Sequence, residues 1–219
     1  MFFIIISILL VYNIDFIRNK TGRWISLYAA SSSTQNSPIN NRKHAQLSQQ
    51  EIATFKDGDI ILRRGFGGIS NLIYQYFSEN SGVTHCGILN KKNQEWHVIN
   101  CESNGEHEGM QLTPLNRFLK ESHPNSIIVV RLNENEETVA LFLNSANTYL
   151  EKQIAFDYKF DNNDSSEFYC TELIELSLKQ ALGKNILTKH KNFGHIEIPT
   201  YNNFIESTYF QVKLSQLDY

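Results

Sequence analysis

The stretch Phe168-Tyr169-Cys170-Thr171-Glu172-Leu173-Ile174-Glu175-Leu176 decides how this chain is read. After Cys170, apolar residues recur at Leu173, Ile174, Leu176, Leu178 and Leu182, and Gly183 is a natural stop. That spacing predicts a helix with Cys170 in its first turn. A thiol there meets the partial positive charge of the helix dipole, which favours thiolate over thiol. Cys170 is therefore the candidate nucleophile.

Working outward, the chain needs a base that can meet that thiol in space, in whatever order the two occur. Thr84-His85-Cys86-Gly87-Ile88 supplies one in His85. Thr84 to Leu89 and Trp96 to Cys101 read as strands joined by the polar turn Asn90 to Gln94, which predicts an antiparallel hairpin. Side chains alternate along a strand, so Asn100 and Glu102 share a face and Cys101 points the other way. Cys86 and Cys101 read as buried structural residues. The three cysteines have neither the number nor the spacing of a disulfide framework or a zinc site. His44, His97, His107, His123, His190 and His195 have no context like that of His85.

Elsewhere Asp57-Gly58-Asp59 marks a turn, Ile60 to Arg63 a short strand, and Gly65, Gly67 and Gly68 a permissive loop without a phosphate-binding fingerprint. Ser70 is placed to cap a helix through Leu72, Ile73, Tyr76 and Phe77. Leu112 to Leu119 reads as a helix entered through Thr113-Pro114, with Leu115, Phe118 and Leu119 on its apolar side. Ser126 to Leu132 reads as a strand. Glu136 to Gln153 reads as an amphipathic helix with Val139, Leu143, Ala146 and Leu150 buried. The aspartates of Ile154 to Asp164 lack the spacing of a calcium loop.

With 219 residues, 41% hydrophobic and 20% charged, the chain has material for one domain and a tail. A net charge of −3 offers no basic stripe, which excludes nucleic acid as an expected partner. Phe2 to Tyr12 is almost wholly apolar but shorter than the ~20 residues of a spanning helix. It resembles the hydrophobic region of a signal peptide, with Ala29-Ala30-Ser31 as a processing site, although Arg18, Lys20 and Arg23 follow the run rather than precede it. The expectation is a hydrophobic signal or anchor segment over 1–30, a polar flexible linker over 31–50 and a folded domain over 51–219, opened by a Ser48/Glu51 capping box. Export or membrane anchoring at the cell envelope or periplasm follows, with a cytoplasmic location as the alternative.

Taken together, Asp57-Gly58-Asp59-Ile60-Ile61, Ser70 with Ile73, Thr84-His85-Cys86-Gly87-Ile88, Thr113-Pro114-Leu115 and Phe168-Tyr169-Cys170-Thr171-Glu172-Leu173 resemble, in this order, the circularly permuted papain-like group of the NlpC/P60 superfamily, the YiiX-like proteins. Phe156 to Asp161, Pro199 and Asn203-Phe204-Ile205 resemble late elements of such proteins. The resemblance covers about Glu51 to Phe210. It implies an α+β fold in which an antiparallel sheet packs against helices and the nucleophile stands at a helix N-terminus. It also implies Cys170 as nucleophile, His85 as general base, and an orienting third residue from the strand after the histidine strand.

Asn100 is preferred as that third residue, with Glu102 as the alternative: an amide oxygen can accept the imidazole N–H, and a carboxylate would also favour an ion pair. Asn100-Cys101-Glu102-Ser103 also resembles the Asn-Cys-Glu-His motif of lecithin:retinol acyltransferase-like proteins, but Cys101 lies in a strand and the motif's His is absent. The activity implied is a cysteine hydrolase that cleaves a peptide or cell-envelope amide through an acyl-thioester, without metal or organic cofactor. Peptide, peptidoglycan-like or acyl-lipid substrates fit, with membrane association through the N-terminal segment. A lipid acyltransferase or thioesterase using the same Cys-His site, and a noncatalytic binding module, are the alternatives.

Overall fold

Ile60–Arg63 (β1) is buried at every position because it runs through the middle of a six-stranded sheet. The structure, a computed structural model, describes residues 43–78, 81–103, 108–160, 166–193 and 196–217. The N-terminal apolar run, Ala29-Ala30-Ser31, most of the polar linker, His107, His195 and Asp161 to Asp164 lie outside the described residues. Among the described residues no helix is long and apolar enough to cross a membrane.

The other strands of the sheet are His85–Lys92 (β2), Glu95–Ser103 (β3), Glu108–Pro114 (β4), Ile128–Leu132 (β5) and Phe210–Ser215 (β10). Their order is β10-β5-β1-β2-β3-β4, each pair of neighbours antiparallel. Ala155–Phe156 (β6) pairs in parallel with Glu167–Phe168 (β7), and His190–Phe193 (β8) forms a hairpin with Ile196–Pro199 (β9). The helices are Gln49–Ile52 (α1), Gly68–Tyr76 (α2), Leu115–Lys120 (α3), Glu136–Glu151 (α4), Cys170–Leu182 (α5) and Asn202–Ile205 (α6).

Alternation along the strands separates two cores. Ile60, Leu62, Cys86, Ile88, Ile99 and Cys101 face Phe142 and Ala146 of α4 and Cys170, Leu173, Ile174 and Leu178 of α5. Ile61, Leu89, Val98 and Val129 face Leu115, Phe118 and Leu119 of α3, with Phe55 and Ala45 closing that side. The longest helix, α4, begins where Asn135 Oδ1 accepts the Thr138 N–H at 2.9 Å, an N-cap bond that satisfies one of the donors a helix start leaves free. Its buried stripe centres on Phe142, Ser145 and Ala146, with Val139, Leu143 and Leu150 half-buried beside it. The Ser48/Glu51 capping box is present. Ala45, within the stretch read as linker, is buried and donates its N–H to Ser122 O, so packing reaches back before Glu51.

Two local readings are corrected. Leu112 and Thr113 belong to β4, and the helix starts at Leu115 after Pro114: Met110 and Leu112 turn to the α4–α5 core while Thr113 turns to the other face, a period of two that the Thr-Pro helix signal masked. Ser70 lies inside α2, whose N-cap is Gly67, and its hydroxyl instead accepts from Thr84 Oγ1 at 3.2 Å.

Candidate active site

Cys170 is the first residue of α5, and Gly183 ends that helix in the left-handed region at φ 68°, as the spacing predicts. The Leu173 N–H donates to Tyr169 O, and the Tyr169 N–H donates to the Glu172 carboxylate at 3.4 Å, which fixes the first turn. The thiol is held well below the ordinary thiol range. A hydrogen bond from the Cys86 thiol is the largest cause, burial works against it, and a hydrogen bond and the charge of His85 and the Tyr201 hydroxyl add to it. Tyr201 Oη is 3.6 Å from Cys170 Sγ. Burial, reinforced by the neighbouring thiolate, keeps both the Cys86 thiol and the Tyr201 hydroxyl protonated, so they act as donors.

His85 opens β2 and pairs across the sheet with Arg63 of β1. Its ring packs against Phe118 of α3, with centroids 5.9 Å apart. The imidazole thus belongs to the α3 face, while Cys170 belongs to the α5 face with Cys86. The two meet at the end of β2, where the β2–β3 register begins only at Ile88↔Ile99. Gly87 lets β2 and β3 approach closely beside His85: a Cβ there would overlap Val98 Cγ1 and lie 2.9 Å from Ile99 O and 3.0 Å from Asn100 Cβ.

Asn100 Nδ2 lies 3.2 Å from His85 Nε2, and Asn100 Oδ1 accepts from Thr113 Oγ1 at 3.2 Å. Asn100 is fully buried. A hydroxyl both donates and accepts, so a half-turn of the amide preserves both contacts while presenting Oδ1 to an Nε2–H. One side chain can therefore hold the imidazole as a neutral ring and as an imidazolium. Glu102 is on the same face but farther away, Oε2 to Nε2 3.9 Å, and its Oε2 accepts from Arg63 Nη2 at 2.9 Å. The structure brings Cys170, His85 and Asn100 together and places Glu102 next to them, bound elsewhere. Cys101 points the opposite way and donates Sγ–H to Phe168 O at 3.0 Å; burial raises its thiol well above the usual range.

Four residues at the site were not singled out from the sequence. Cys86, read as structural, is the thiol that donates to Cys170. Arg63 carried a signal, being the one charged residue in the otherwise apolar Ile60-Ile61-Leu62-Arg63. Thr113 was read as a helix entry and its contact with Asn100 arises from β4 pairing; Tyr201 carried no signal, standing 31 residues beyond Cys170. Among the described residues no group of three or more His, Cys, Asp and Glu side chains is placed to hold a metal ion.

Residues 54–215 match a family described as permuted papain-like amidase enzyme, YaeF/YiiX, C92 family. Among solved structures the fold is similar to the crystal structure of metalloprotein yiiX from Escherichia coli O157:H7, with a TM-score of 0.59 and 16% identity over 73% of this chain and 97% of that one. At that identity the likeness is one of fold. No curated protein sequence matches the chain.

Proposed function

The chain belongs to the permuted papain-like amidase family of the YaeF/YiiX type, and from that premise we propose that it hydrolyses an amide bond, of a peptide or a cell-envelope polymer, through an acyl-thioester on Cys170. The observation that carries this reading is the lowered thiol of Cys170 at a helix start, beside an imidazole whose Nε2 is 3.2 Å from a fully buried amide.

In this reading the Cys170 thiolate attacks the amide carbonyl carbon and the carbonyl electrons move onto oxygen. Backbone N–H groups of the first turn of α5 are the donors that face the oxyanion. The imidazolium of His85 gives its proton to the leaving nitrogen, the C–N bond breaks, and the amine departs. Water then attacks the thioester, losing a proton to His85, and the thiolate is released with the acid. Asn100 keeps Nδ1 of the ring directed to sulfur by holding Nε2. Export or membrane attachment through residues 1–30 would bring the site to envelope substrates.

The test is a panel of peptide amides, peptidoglycan fragments and acyl lipids offered to wild type and Cys170→Ala. Amide turnover by wild type alone, with an acyl mass trapped on the Cys170 peptide, is expected. Turnover confined to acyl lipids would favour the acyltransferase or thioesterase, and no turnover with no acyl adduct would favour a binding module.

A further inference from the structure

Arg63 and Glu102 form a buried ion pair beside the imidazole. Arg63 is the register partner of His85, and both side chains lie on the α3 face with Asn100 and Glu102. Arg63 is 5% exposed and Glu102 6%. Removing two charges from water costs several kcal/mol per ion, and apolar residues would fill the same space as stably.

The guanidinium is over-determined. Nη2 donates to Glu102 Oε2 at 2.9 Å, Nη1 donates to Phe118 O at 3.0 Å and to Glu121 Oε2 at 3.3 Å, and the group stacks 4.2 Å from the Phe118 ring. The same Phe118 ring packs against His85. Glu102 is held by far less: Oε1 makes no hydrogen bond to the protein, and Oε2 has Arg63 at 2.9 Å and His85 Nε2 at 3.9 Å. Among the described residues, removal of Arg63 would leave His85 as the one basic side chain within 4 Å of the carboxylate.

We propose that Arg63 is a positioning residue: by engaging Glu102 it keeps that carboxylate from displacing Asn100 at His85 Nε2, and the pair sets how readily the thiolate and imidazolium form. This rests on the reading of Cys170 and His85 as the reacting pair. Among the described residues, the charged and titratable groups around the imidazole are Arg63 from β1, Glu102 from β3 and Cys170 from α5, with Cys86 of β2 and Tyr201 bonded in turn to the Cys170 thiol. Glu121, after α3, balances Arg63 together with Arg117, whose Nε donates to Glu121 Oε1 at 2.9 Å. Arg63 and Glu102 act on the imidazole in opposite senses, the carboxylate from 3.9 Å. With Arg63 alone, imidazolium is disfavoured and the thiolate with it; with Glu102 alone, both are favoured.

The experiment is the rate of Cys170 alkylation by iodoacetamide between pH 6 and 7, followed by mass spectrometry of the Cys170 peptide, which needs no substrate. Glu102→Gln is expected to slow alkylation about tenfold, the effect of one charge within ~4–6 Å changed by one unit. Arg63→Met should alkylate at least as fast as wild type. The double variant should return to within about threefold of wild type; a merely structural pair would also recover there, but would slow both single variants alike, whereas here only Glu102→Gln is slowed. Should Arg63→Met fail to fold around an unpaired carboxylate, the pH profile of Glu102→Gln decides: a profile moved to higher pH with its plateau kept is expected, and a lowered plateau, the mark of a merely structural defect, would overturn the proposal. Equal slowing in both single variants, no slowing in Glu102→Gln, or a double variant no faster than Glu102→Gln would overturn the proposal. Failure of the amidase reading would show separately, as absence of turnover with this alkylation pattern intact.

Discussion

Replacing Gly87 by alanine tests whether the approach of β2 to β3 is what places Asn100 on His85. The new Cβ would overlap Val98 Cγ1 and sit 2.9 Å from Ile99 O and 3.0 Å from Asn100 Cβ. Relaxed carbon contacts lie near 3.5–4.0 Å, so β3 must retreat by roughly 0.5–1 Å at Asn100. The 3.2 Å contact to His85 Nε2 would then open beyond hydrogen-bond range. Overpacking of this kind costs about 1–3 kcal/mol, which lowers Tm by roughly 2–12 °C in a domain of this size. Loss of a hydrogen bond to a group that becomes charged is worth about 1.5–3 kcal/mol, or roughly tenfold or more in the rate at which Cys170 reacts. Gly58→Ala is the control. Gly58 has φ 82° and a Cβ there would lie 2.6 Å from Val139 Cγ1 against α4, at the end of β1 remote from His85. Calorimetry with timed iodoacetamide labelling should show both variants losing Tm and only Gly87→Ala losing Cys170 reactivity. Equal slowing in both, or wild-type behaviour of Gly87→Ala, would refute the reasoning.

Cys86→Ala removes the largest cause of the lowered Cys170 thiol, so the pH profile of Cys170 alkylation should move to higher pH, and an unmoved profile would contradict the assigned donor. Because the folded-state thiol is depressed, its ionisation stabilises the fold above the ordinary thiol range near ~8.5 and that contribution is lost as pH falls through the folded value. Denaturant titrations at several pH values should therefore show the stability difference between wild type and Cys170→Ala shrinking as pH falls. Asp59→Ala breaks the paired contacts of Arg131 to Asp59 at 2.7 and 2.8 Å. It should cost about 3 kcal/mol, the lower end for a buried pair because Arg131 keeps access to water, with Cys170 labelling unchanged in the folded protein.

The parts of the fold that rest on local periodicity were legible. The helix after Cys170 follows from its apolar spacing and Gly183, and the opposition of Asn100 and Cys101 from the two-residue period of a strand, which the structure shows as contacts to His85 and to Phe168 O. What depends on long-range pairing was not. Glu108–Pro114 carries polar Gln111 and Thr113 because its inner face meets polar Asn100 and Glu102, so its sequence lacks the apolar density of a core strand. Phe210–Ser215 is an edge strand with exposed Gln211 and Val212 and a bulge between Val212 and Leu214, which breaks the alternation. The Arg63 to Glu102 bond joins residues 39 apart in sequence. No property of either residue by itself names the other.

The most direct measurement is competitive labelling of the three cysteines with limiting iodoacetamide near pH 6, in wild type and in His85→Ala, read by peptide mass spectrometry. A thiolate held by Cys86, His85 and Tyr201 should be labelled first at Cys170, with Cys86 and Cys101 trailing, and His85→Ala should slow Cys170 by about tenfold or more. Labelling led by Cys86 or Cys101, or a Cys170 rate indifferent to His85, would contradict the account.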